Sequence, residues 1–299
     1  MHLNHNNMQK TIRNPVRVSG IGLHTGCEVS LELNPAPPGT GIVFRRVDLQ
    51  NFEIEARRQW VSRVVLATTL MKRGVMLSTV EHLLSAVYGF GLDNLYIDID
   101  SLEVPILDGS ALPFVDLLRD AGEVDQDADR TYLVVERPIR LEEEDKWISI
   151  EPYSGFHITY EIDFDHPSIG CQAFDGEITP ETYESEVALS RTFGFYEEVE
   201  ELLKKGLIRG GSLENAVVLS KTGIMNGELR VPDEFVRHKV LDLIGDVSLC
   251  GRPLRGRIRA FKAGHSLHTN LATEISRASS KVREVKESDL VELGQVVNQ

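Results

Sequence analysis

The chain reads as an α+β protein of two units, each a β-sheet covered by helices, and three observations predict it. Apolar residues make up 41% of the 299 residues, enough to supply two cores of ordinary size. In each half, strand-like runs with alternating or apolar character precede segments of helical period, the pattern of sheets packed under helices. Between the halves, residues 122–130 are acidic and polar and carry no apolar periodicity. They read as a linker, which places a first domain at residues 1–121 and a second at 131–299.

In the first half, strands are expected at 17–18, 28–33 and 41–45, with Pro35-Ala36-Pro37-Pro38-Gly39 turning between the last two. A helix follows over 79–88, stopped by Gly89 and Gly91, then a strand at 95–99 and a helix at 111–121. In the second half, strands are expected at 132–135, 147–150 and 157–162. Helices are expected at 180–189, 197–205 and 232–249, then a strand at 257–262 and a closing helix from about Ser266. Residues 1–10 read as a short polar tail.

Charge and cysteine content narrow the function classes. A net charge of −14 repels polyanions and disfavours non-specific binding to nucleic acid or anionic lipid, while leaving room for a small anionic ligand at a local basic cluster. Cys27, Cys171 and Cys250 form no CxxC pair, which argues against a disulfide framework or a cysteine-rich zinc site and fits a reducing cytoplasm. No apolar run reaches the ~18 residues of a membrane-spanning helix.

Four short elements carry groups able to do chemistry. Ser78-Thr79-Val80-Glu81-His82-Leu83 places a Glu beside a His at a helix start; it also fits a capping box, with Glu81 reaching back to the Ser78 N–H. In the helix over 232–249, His238, Asp242 and Asp246 are spaced four apart and share one stripe. That spacing also describes an ordinary solvated His–Asp pair. Lys262-Ala263-Gly264-His265-Ser266 presents His265 beyond a glycine turn. Ser190-Arg191-Thr192-Phe193-Gly194-Phe195 sets a hydroxyl beside two aromatics. Taken together, they supply two histidines and a carboxylate for a metal with an open position, a separate Glu and His as base and acid, and Lys239 as nearby positive charge.

The same segments, with Ser19-Gly20-Ile21-Gly22-Leu23-His24-Thr25-Gly26, Glu103-Val104-Pro105-Ile106-Leu107-Asp108-Gly109-Ser110, Gly210-Gly211-Ser212 and residues 233–246, resemble bacterial UDP-3-O-acyl-N-acetylglucosamine deacetylases of lipid A biosynthesis. The resemblance spans residues 11–278. It implies two similar α+β sandwiches with their helical layers facing each other, and a zinc ion held by His82, His238 and Asp242. Iron(II) suits the same donor set. It further implies Glu81 as general base, His265 as general acid with Asp246 beside it, Thr192 as an oxyanion donor and Lys239 as a substrate contact. An acyl-chain passage is implied in an insert at 195–220, with Val199, Ile208, Leu213, Ala216 and Val218 as lining candidates and Leu66, Phe193 and Phe195 contributing. The substrate would be the anionic UDP-3-O-acyl-GlcNAc, with Lys239, Lys262, Arg191 and Arg237 as candidates for a basic patch, and the protein a monomer. One departure stands out: after Gly-His-x-Leu the family pattern usually continues with Asn, whereas this chain has His268. Rival readings are a hydrolase of another N-acyl group and a non-catalytic sugar- or lipid-binding protein.

Overall fold

The computed structural model describes residues 8–290. It is an α+β protein of two similar halves, and the similarity lies in one repeated unit. In the first half, strand Ile42–Arg46 runs parallel to Leu95–Ile99, and helix α1 (Glu81–Phe90) lies between them in sequence. In the second, Phe156–Phe164 runs parallel to Leu254–Phe261, with the long helix Glu234–Ser248 between them. Parallel neighbours need a crossover long enough to return the chain to the same end of the sheet, and a helix supplies it.

The first sheet has the order Val16–Ile21, Glu28–Pro35, Leu95–Ile99, Ile42–Arg46, Phe52–Glu55. Its inner face (Val29, Leu31, Leu33, Phe44, Ile54, Ile97) is buried beneath α1 and α2 (Leu112–Ala121). The second sheet is centred on Leu254–Phe261, flanked by Lys146–Glu151, Thr131–Val135 and Phe156–Phe164. After the single turn α3 (Pro180–Thr182) and the insert helix α4 (Tyr196–Lys204), the second half adds α5, the crossover Glu234–Ser248, and α6 (His265–Arg277). The two helical layers meet where α1 packs on α5. There a Cβ at Gly245 would overlap the carbonyl oxygen of Glu81, so only glycine permits this approach.

Several sequence expectations are corrected. Residues 8–10, read as tail, belong to strand Met8–Ile12, which pairs with Glu123–Asp129 inside the segment read as linker. The outer strand of such a ribbon is mostly exposed and buries no alternating face, so it leaves no period-2 signal. The helix expected over 180–189 is α3 followed by a wider π-type turn, Tyr183–Val187, because buried Tyr183 packs on Gly89 and donates to Ser85 Oγ at 2.9 Å. The chain does not close on α6 either, since strand Val282–Lys286 follows and pairs with Thr131–Val135. Residues 1–7 of the expected tail lie outside the described residues. Among those described, no helix is long and apolar enough to cross a membrane.

Candidate metal centre and its acid–base groups

α1 and α5 bring together residues that lie more than 150 positions apart. His82, in the first turn of α1, and His238 and Asp242, on one stripe of α5, are all buried, and their ligand atoms lie within 4.8 Å of one another. Nε2 of His82 is 3.7 Å, and Nε2 of His238 3.3 Å, from Oδ1 of Asp242. Ligand atoms of a tetrahedral ion with bonds of ~2.0–2.1 Å stand about 3.3–3.4 Å apart, so the three need only a small contraction to share one.

The chemistry of the donors fits as well as the spacing. His238 donates its Nδ1–H to the Ser190 carbonyl at 3.1 Å, which leaves the Nε2 lone pair facing Asp242. Burial lowers the His238 pKa to about 3, against the opposing pull of Asp242, so the ring is neutral at neutral pH. Burial alone would raise Asp242, but His238 and the Lys239 ammonium 2.9 Å away hold it well below the ordinary carboxylate range. His82 Nδ1 is buried without a partner in the protein. Two buried imidazoles and an ionised carboxylate form a set that divalent zinc or iron accepts.

Beside this set stands a second group. Glu81 does not form the expected capping box. Its Oε2 accepts the Thr68 N–H at 3.0 Å, Ser78 Oγ pairs instead with Thr69 Oγ1, and α1 begins without a side-chain cap. The reason is tertiary: the Thr68 N–H is buried and requires an acceptor. Burial raises the Glu81 pKa, with the Asp246 and Asp242 charges adding to it and the two histidines opposing. Asp246 accepts from Thr68 Oγ1 (2.6 Å), His265 Nδ1 (2.7 Å) and His268 Nδ1 (3.0 Å). His265 opens α6 after Gly264, and its Nε2 lies 4.0 Å from Asp242 Oδ2. Burial lowers its pKa, yet the charges of Asp246 and Asp242 outweigh burial and raise it to about 10.

The remaining candidates fall at different distances from this centre. Phe193 packs edge-on against His238 at 6.3 Å and Phe235 at 5.0 Å, with Lys239 over its ring at 5.5 Å. Phe195 continues the cluster through Phe164 and His166. Thr192 follows Ser190 by two residues, its backbone pinned by Gly109 and Val217. Val218 lies on Val217–Leu219, parallel to Phe193–Phe195; Ala216 precedes that strand. Val199 is on α4, Ile208 and Leu213 on the loop beyond it, and Leu213 and Leu66 are exposed. The loop 208–211 docks on the first half, Gly210 N–H bonding Leu23 O at 2.9 Å. Of the basic candidates, Arg191 is tied to buried Glu234, Arg237 to Asp233 and Glu186, and Lys262 to Asp163 and Asp145. All three are thus paired with carboxylates of the protein. Sequence spacing gave no sign of Thr68, which bridges Glu81 and Asp246, nor of Glu103, which is buried and accepts from His24 N, Thr25 N and Thr79 Oγ1.

Fold and site together define a class: a protein of two α+β halves with a buried metal-binding centre formed where their crossover helices meet. A family profile described as UDP-3-O-acyl N-acetylglycosamine deacetylase matches residues 9–277. A relative from Solibacter usitatus named UDP-3-O-acyl-N-acetylglucosamine deacetylase is 48% identical over 268 residues, covering 89% of this chain and 90% of its own. Relatives of the same name from Methylococcus capsulatus (46% identical, 90% of each chain) and Myxococcus xanthus (47%, 89% of this chain and 86% of its own) agree. The chain belongs to the UDP-3-O-acyl N-acetylglycosamine deacetylase family.

Proposed function

We propose that the protein hydrolyses the acetamide of UDP-3-O-acyl-N-acetylglucosamine, releasing acetate and the free 2-amine, an early step of lipid A biosynthesis. The observation that carries this reading is the placement of Glu81 and the His265–Asp246 pair beside the His82–His238–Asp242 set. His82, His238 and Asp242 would hold a zinc ion, or iron(II) in its place, and when bound it would supply Lewis-acid activation of water and of the acetamide carbonyl. Glu81 takes the proton of the attacking water, a task suited to a carboxylate whose basicity burial has increased. His265 protonates the departing glucosamine nitrogen from Nε2, while Asp246 holds Nδ1–H and favours the imidazolium. Thr192 donates to the developing oxyanion.

Lys239 contacts the anionic substrate, and Phe193 and Phe195 begin the acyl passage, continued by Leu66, Val199, Ile208, Leu213, Ala216 and Val218. In this reading the domains are residues 1–121 and 131–299, and the protein acts as a cytoplasmic monomer. The test is metal analysis paired with an acetate-release assay on the wild type and His238→Ala. The wild type is expected to carry one metal and yield the amine by mass spectrometry, and the variant to lose both. Stoichiometric metal in His238→Ala, or an unchanged substrate mass with the metal-loaded wild type, overturns the reading.

A further inference from the structure

His268 is completely buried, and nothing in the mechanism above uses it. It follows His265 by one turn of α6, and the Nδ1 atoms of both rings face the same oxygen, Oδ2 of Asp246, at 3.0 and 2.7 Å. On the far side of its ring, Nε2 lies 3.0 Å from the hydroxyl of Tyr160, itself completely buried on Phe156–Phe164. That hydroxyl is also 2.7 Å from the Ala263 carbonyl, in the turn that leads into His265.

Counting protons assigns the roles in this chain. An ionised carboxylate only accepts, so each imidazole must offer it an Nδ1–H. A neutral imidazole has one N–H, and burial keeps His268 neutral by lowering its pKa. Its Nε2 is then a lone pair that must accept. Tyr160, whose pKa burial raises well above the ordinary phenol range, keeps its proton and shares it between Nε2 and the Ala263 carbonyl. The opposite tautomer would set a lone pair against a buried carboxylate, leaving an acceptor of Asp246 unsatisfied. On the other carboxylate oxygen, Thr68 Oγ1 donates at 2.6 Å.

We propose that His268 is a positioning residue for the reaction: Tyr160 anchors its ring at Nε2, and its Nδ1–H, with the Thr68 hydroxyl, locks the Asp246 carboxylate in the orientation that presents His265. It acts through Asp246 and touches no substrate, and the proposal rests on the hydrolytic reading above. Asn at this position retains a donor for Asp246 but has no opposite ring nitrogen to anchor on Tyr160.

The test compares His268→Ala, His268→Asn and Tyr160→Phe with the wild type by kcat, KM, metal content and ¹⁵N-histidine NMR. His268→Ala is expected to lower kcat about 10–100-fold, the scale seen for outer partners of catalytic groups, with KM and metal content within about twofold. His268→Asn, which keeps a donor, recovers most of that loss, and Tyr160→Phe lowers kcat about fivefold. The wild-type spectrum shows a neutral Nδ1–H histidine that disappears in His268→Asn and stays Nδ1–H in Tyr160→Phe, where only its Nε2 resonance shifts with the loss of the hydroxyl. An unchanged kcat in His268→Ala, a loss that Asn does not recover, or an Nε2–H tautomer for His268 in the wild type overturns the proposal. A metal-loaded wild type that releases no acetate overturns the hydrolytic reading and the positioning role with it; an active wild type with an undiminished His268→Ala overturns the positioning role alone.

Discussion

Glu81 and His265 carry opposite demands: one must be ionised to take a proton, the other protonated to give one. Burial pushes Glu81 above the ordinary carboxylate range, so the acid limb of a kcat/KM profile should lie higher than a free glutamate would place it. Burial opposes charge on His265, but Asp246 and Asp242 raise it to about 10, so the alkaline limb should lie above the ordinary histidine range. A cation on Asp242 offsets part of that charge and draws both limbs downward without altering their order. Asp246→Asn removes the larger of the two raising charges. Its alkaline limb should therefore move to lower pH, and a limb that stays in place would show that His265 is not the group titrating there. Glu81→Gln should lower kcat by about 10²–10⁴ while metal content stays intact, because Glu81 makes its bond to Thr68 and not to the metal set.

At the scale of elements, α1 and α5 were legible because apolar residues recur with helical period, and the four-residue spacing of His238, Asp242 and Asp246 places them on one stripe. The start of α1 was not. Ser78-x-x-Glu81 has the letters of a capping box, yet the Thr68 N–H, ten positions before Ser78, takes the Glu81 carboxylate. A local motif loses to a buried donor that only the tertiary fold brings near. The sequence also showed no sign that Gly245 sets the spacing of the two helices. A Cβ there would overlap the Glu81 carbonyl, and both partners are helix backbone with little freedom to yield. Gly245→Ala should therefore cost about 1–3 kcal/mol in denaturant unfolding and reduce metal occupancy, since His82 and His238 would part. Full stability with full occupancy would show that the helices are spaced by some other contact.

Across the whole molecule, the two-unit α+β architecture could be read from the order of strands and helices, but the meeting of the units could not. Periodicity describes one element at a time, whereas His82 reaches Asp242 only because two equivalent crossover helices lie face to face. Those helices bury Leu83, Leu84, Val87, Leu241, Ile244 and Val247 as well, so the halves cohere through apolar packing, and the metal adds to an interface already formed. Metal removal should then weaken the fold without abolishing it. A ligand bound only by the native state adds RT ln(1 + [L]/Kd), about 2.7 kcal/mol at a hundredfold excess over Kd. Dialysis against a chelator should abolish acetate release and lower unfolding free energy by ~3 kcal/mol. One equivalent of zinc should restore both. His82→Ala should show no such metal-dependent stability, because it deletes the donor from the first half, whereas His265→Ala should retain it while losing activity. If chelation silenced the wild type but left its unfolding curve unmoved, the metal would not bridge α1 and α5.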